Sequence, residues 1–110
     1  MSKFEELKAR IDKEYEAVTN TLDAGNSEYA YEWGILDNLN DIVTELEIKI
    51  KYEFFTDEEA YSRLCKYIKR QFEYFSVVAK RFGSQLPFTL VKGLFFSLSN
   101  LINEIDERNN

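Results

Sequence analysis

The 110-residue sequence contains no histidine, one cysteine, one proline, one tryptophan and only four glycines. The missing histidine excludes imidazole acid–base catalysis, Ser–His and Cys–His nucleophiles and the usual zinc sites. It also excludes the Glu-x-x-His ligands with which helical bundles hold paired iron ions. A lone Cys65 cannot form an internal disulfide, which fits a reducing, cytoplasmic setting. The four glycines are isolated, so no phosphate-cradling loop is present.

Long apolar runs are missing too. The most apolar stretch, Phe88 to Ile102, is interrupted by Lys92, Ser97, Ser99 and Asn100 and is shorter than the roughly twenty residues of a membrane span. The opening Met1-Ser2-Lys3-Phe4-Glu5-Glu6 lacks a basic region followed by an apolar run, so no signal peptide is expected. Neither a repeat nor a low-complexity linker interrupts residues 1–110, which read as one domain of common size. Apolar residues make up 45 % of the chain, ample core material, and only Glu107 to Asn110 read as disordered.

What is present is helical periodicity. Phe4, Leu7, Ile11, Tyr15, Val18 and Leu22 recur at spacings of three and four, predicting a helix from Lys3 to Asp23. Ser2 and Glu5 form its capping box and Gly25 its stop. A second helix is predicted from Glu28 to Phe54, capped by Asn26 or Ser27, on the stripe Leu36, Leu39, Val43, Leu46 and Ile50, widened by Ile35 and Ile42. Extending that stripe back one turn meets Glu32, a charge where an apolar residue is wanted. Gly34 costs about 1 kcal/mol relative to Ala, and both features suggest a kink or late start near Trp33. A third helix opens with the capping box Thr56-Asp57-Glu58-Glu59, carries Tyr61, Leu64, Ile68, Phe72, Phe75 and Phe82 inward, and stops at Gly83. A fourth begins near Pro87, with Phe88, Val91, Leu94, Phe95, Leu98, Leu101, Ile102 and Ile105 forming the widest apolar arc. The expectation is an all-α fold, an antiparallel four-helix up-down bundle with short connections.

No cofactor or metal site is expected. Asp37-Asn38-Leu39-Asn40-Asp41 fails as a calcium loop, with Leu39 third and Ile42 where glycine is required. Cys65, near the inward stripe, reads as a small core filler. No catalytic apparatus is recognisable, so the chain reads as a non-enzyme.

Charge is distributed unevenly. Residues 1–55 carry thirteen acids and six bases, and residues 56–110 seven acids and eight bases; −7 and +1 sum to the net −6. On a helical wheel Asp37, Asp41 and Glu45 form one outward ridge, with Trp33, Ile48 and Tyr52 on the same side. Ordinary surface acids or a covering helix would account for this. The functional reading is a partner-binding patch, aromatic anchors ringed by steering charges. Helix 3 carries a second outward stripe: Arg63, Tyr67, Arg70, Tyr74, Val77 and Arg81. Its bases are expected to pair with the acids of helices 1 and 2 or to be solvated, and net acidity argues against direct nucleic-acid binding.

The expectation for function is a small acidic module, of inhibitor, immunity or phage type, that occupies the basic surface of a partner protein such as a toxin or nucleic-acid-processing enzyme. The alternative is a homo-oligomeric structural or adaptor module, the ridge of one copy docking on the Arg/Tyr stripe of another.

Overall fold

The computed structural model describes residues 1–22, 29–82 and 89–108. Four α-helices account for them: α1 (Lys3–Thr21), α2 (Ala30–Lys51), α3 (Asp57–Phe82) and α4 (Thr89–Arg108). No strand occurs among the described residues. The expected helix limits Asp23 and Glu28, the caps Asn26 and Ser27, the stops Gly25 and Gly83, and Pro87, Phe88, Asn109 and Asn110 lie outside them, as does the side chain of Phe82.

Helix starts follow the capping chemistry. Ser2 Oγ accepts the Glu5 N–H at 3.1 Å. At α3 the box is reciprocal: Thr56 Oγ1 accepts from Glu59 N at 3.1 Å, and Thr56 N donates to Glu59 Oε1 at 3.3 Å. The ends depart from expectation. Helix α1 stops at Thr21 rather than Asp23. The hydroxyls of Thr19 and Thr21 bond back to the carbonyls of Glu16 and Ala17, and Ser/Thr back-bonding of this kind weakens a last turn. Helix α2 stops at Lys51 rather than Phe54, because Glu53 adopts a left-handed φ of 65°. The N–H groups of Phe54 and Phe55 then both turn back to the Lys49 carbonyl, at 2.8 and 3.2 Å, a glycine-type termination made with a glutamate. Helix α4 continues through Arg108, whose guanidinium pairs with Glu6 at the start of α1, so Glu107 and Arg108 are helical rather than disordered.

Helices α3 and α4 form the central pair, with α1 and α2 each packing against both. Seven buried side chains come from α4 (Val91, Leu94, Phe95, Leu98, Leu101, Ile102 and Ile105), against four apolar ones from α2. Among the described side chains α4 buries more than α3, which adds Ala60, Tyr61, Leu64, Ile68 and Phe75, in keeping with its wide arc. Phe75 and Phe95 meet edge-to-face at 5.4 Å in the centre. Tyr15, Val18 and Phe72, placed inward by periodicity, are half-buried at the core's margin.

Helix α2 runs unbroken through Gly34. A Cβ on Gly34 would meet nothing within 4 Å. The anomalous Glu32 is buried, 4 % exposed, and its Oε2 accepts the Val91 N–H at 3.3 Å. Val91 lies in the first turn of α4, where backbone N–H groups lack helical partners and the dipole favours negative charge. Glu32 therefore caps another helix. Loss of water around the carboxyl outweighs the bonds from Val91 and Leu90 and raises its pKa.

Candidate interaction surface

The inward positions of α2, from Glu32 through Leu36, Leu39, Val43 and Leu46, are buried, leaving the opposite face as its outer surface. Asp37, Asp41 and Glu45 are all exposed there. From Ala30 to Glu47 the helix holds five acids and no base. Like charges four residues apart disfavour an isolated helix by a few tenths of a kcal/mol per pair. Relief is partial: Lys49 Nζ reaches Glu45 at 3.5 Å, while Asp37 and Asp41 form no ion pair among the described residues.

The apolar part of the surface lies one turn further on. Ile48 is 50 % exposed and Tyr52 63 %, with Lys51 Nζ 5.7 Å from the Tyr52 ring centre. Trp33 does not join them. It is half-buried and packed against the core, its Nε1 buried and without a hydrogen-bond partner among the described residues. Helical geometry explains this, since four-residue steps drift by about 40° each. Following the ridge back from Glu45 through Asp41 and Asp37 therefore turns Trp33 onto the flank of α2.

Periodicity missed Phe54, 74 % exposed in the turn between α2 and α3. A signal was available. Two adjacent phenylalanines between a helix end and a capping box cannot both face the core. Phe55 is the inner one, half-buried under Lys49 Nζ at 5.1 Å and Arg63 Cζ at 4.3 Å. Ile48, Tyr52 and Phe54 thus continue the acidic ridge as an apolar end.

On α3, the bases do not pair with acids of α1 and α2. From Ala60 to Phe72 the helix carries Arg63, Lys66, Lys69 and Arg70 and no acid. None of these four forms an ion pair among the described residues. Arg63, Lys66 and Arg70 line a shallow groove of about 480 Å³ with Tyr67 at its base. Tyr67 is only half-exposed, its ring edge-on to Phe95 at 6.3 Å. Tyr74 and Val77 are 51 % and 56 % exposed beyond it, and Arg81 is exposed.

Reactive chemistry is sparse. Tyr61 donates to Asp106 Oδ1 at 2.9 Å, tying the start of α3 to the end of α4; burial is the main cause that raises its pKa. Cys65 is half-buried against the core, and burial raises its pKa as well, keeping the thiol protonated. No His/Cys/Asp/Glu cluster suited to a metal occurs among the described residues, and no described helix is long and apolar enough to cross a membrane.

No family model, curated protein or solved structure matches this chain.

Proposed function

We propose that this chain is a small acidic protein-binding module, carried on an antiparallel up-and-down bundle, that works by covering a basic surface of a partner protein. The observation that carries the reading is the outer face of α2. Two exposed carboxylates without ion pairs, Asp37 and Asp41, lead into a largely exposed apolar end, Ile48, Tyr52 and Phe54. The carboxylates steer a basic partner into place, and the aromatic end supplies contact area that excludes water. Carboxylates spaced along a helix can stand in for phosphates, so a nucleic-acid-processing enzyme or a toxin is a fitting target, and an inhibitor or immunity role a fitting consequence.

Pairings between helix ends support the antiparallel arrangement. Lys3 meets Glu58 at 3.1 Å near the starts of α1 and α3. Glu6 pairs with Arg108, and Tyr61 with Asp106, each joining a helix start to the end of α4. Glu32 and Val91 join the starts of α2 and α4.

The test is affinity capture of basic proteins in a cytoplasmic extract by three immobilised forms: wild type, Asp37→Asn/Asp41→Asn/Glu45→Gln and Ile48→Ala/Tyr52→Ala/Phe54→Ala. Wild type should retain a discrete basic partner that is lost in high salt, and each triple variant should retain at least about tenfold less of it, as loss of hot-spot contacts implies. Capture that is equal in all three forms would remove the reading.

A further inference from the structure

Among the described residues Arg63, Lys66, Lys69 and Arg70 of α3 form no ion pair, although an acidic ridge lies on the neighbouring helix. Helices α2 and α3 are joined by the turn at 52–56, and they come together again where Tyr74 lies close enough to Tyr31 to raise its pKa. Both advance about 1.5 Å per residue. Counted from the Tyr31–Tyr74 contact, the Asp37–Asp41 stretch of α2 runs alongside the Arg63–Arg70 stretch of α3. Yet no ion pair spans the two helices among the described residues; Asp37, Asp41 and Arg70 are exposed, and the Arg63 guanidinium lies over the Phe55 ring.

From this we infer that two copies of the chain associate face to face through α2 and α3, each copy's acidic ridge lying on the other's basic stripe. A twofold axis parallel to these helices exchanges their positions without changing height. It therefore sets the Asp37–Asp41 stretch of one copy opposite the Arg63–Arg70 stretch of the other, with no sliding required. The symmetry forms every contact twice. Tyr67, in the floor of the groove between Arg63 and Arg70, supplies an apolar surface beneath the charges.

The size of the face sets the strength. Two helices packed about 9 Å apart and roughly 20 residues long present on the order of 600 Å² per copy. A total near 1,200 Å² lies at the lower end of specific interfaces. The dimer is accordingly reversible and salt-sensitive, since its charged pairs lie near solvent. It goes beyond the proposed heterologous binding and does not depend on it. Where both occur, self-association covers the ridge, and a partner must displace the second copy.

The test is absolute mass by light scattering, with Asp37→Arg/Asp41→Arg and Arg63→Glu/Arg70→Glu as variants. All four positions are exposed, and helicity by circular dichroism checks that both variants fold. Wild type at roughly 100 µM should be a dimer at about 50 mM salt and a monomer at about 0.5 M, where the Debye length falls below contact dimensions. Each variant alone should be monomeric at low salt. An equimolar mixture should restore the dimer, because every reversed ridge then meets a reversed stripe. A wild type that is monomeric at low salt overturns the inference, and so does a dimer that survives high salt or both charge reversals. A mixture that stays monomeric also overturns it. Capture of a basic partner is read separately, so failure of the dimer and failure of heterologous binding are distinguished.

Discussion

Glu53 holds a backbone conformation that L-residues adopt at a penalty of roughly 1–2 kcal/mol, and its φ of 65° is what ends α2 and projects Phe54. Replacement by glycine relieves that penalty but adds about 0.5–1 kcal/mol of unfolded-chain entropy. Glu53→Gly should thus stabilise the protein by roughly 0.5 kcal/mol in denaturant titration, and a loss of stability would show that the side chain does more than occupy a turn. Glu32 poses the opposite balance. Its folded pKa is raised, so the folded state holds its proton more tightly than the unfolded chain does. The associated stability is present below the ordinary carboxyl range and is lost as pH rises through the raised value. Glu32→Gln keeps an acceptor for the Val91 N–H without the charge. The variant should be more stable than wild type at pH 7, and the gap should close below about pH 4 in thermal melts. A gap independent of pH would mean that ionisation of Glu32 is not what limits stability there.

At the scale of whole helices, much was legible in the sequence. The stripes of α1, α2 and α4 and the capping box of α3 located all four elements, because apolar spacing and caps act locally. What local patterning cannot contain is the partner across the core. Glu32 read as a defect in its own stripe, and its explanation lies 59 residues away at Val91. Trp33 was misplaced by treating a drifting row as a straight line. Within the candidate surface, the carboxylates and Ile48 and Tyr52 were legible, since opposite-face positions follow from the same wheel. Phe54 was legible only from the adjacent Phe54-Phe55 pair, and periodicity passed over it because its exposure depends on a left-handed residue that propensity would not assign to glutamate. Of the two outcomes expected for the α3 bases the second holds: Arg63, Lys66, Lys69 and Arg70 are exposed and form no ion pair among the described residues.

Across the molecule, the α3–α4 pair is the scaffold, and α1 and α2 are attached to it on unequal terms. Polar ties hold α1 to its neighbours at its start, through Glu6–Arg108 and Lys3–Glu58, and at mid-length through the Ser97–Glu14 bond of 2.5 Å. Helix α2 is held by four buried apolar residues with their half-buried neighbours, the Glu32 carboxylate and the Lys8–Glu47 ion pair at 3.6 Å, while Asp37 and Asp41 on its outer surface form no ion pair among the described residues. Elements with few buried contacts occupy the low-stability end of a domain. That asymmetry can be watched without any label. The chain's single tryptophan, Trp33, sits on the flank of α2 with its indole N–H buried and unbonded among the described residues, one residue from the carboxylate that anchors α4. Its fluorescence therefore reports the docking of α2, whereas circular dichroism averages all four helices. In a denaturant series the red shift of emission should precede the loss of ellipticity, and superimposed curves would mean that the four helices leave together. Trp33, removed by geometry from the set of binding anchors, becomes a built-in optical gauge of the helix that carries them.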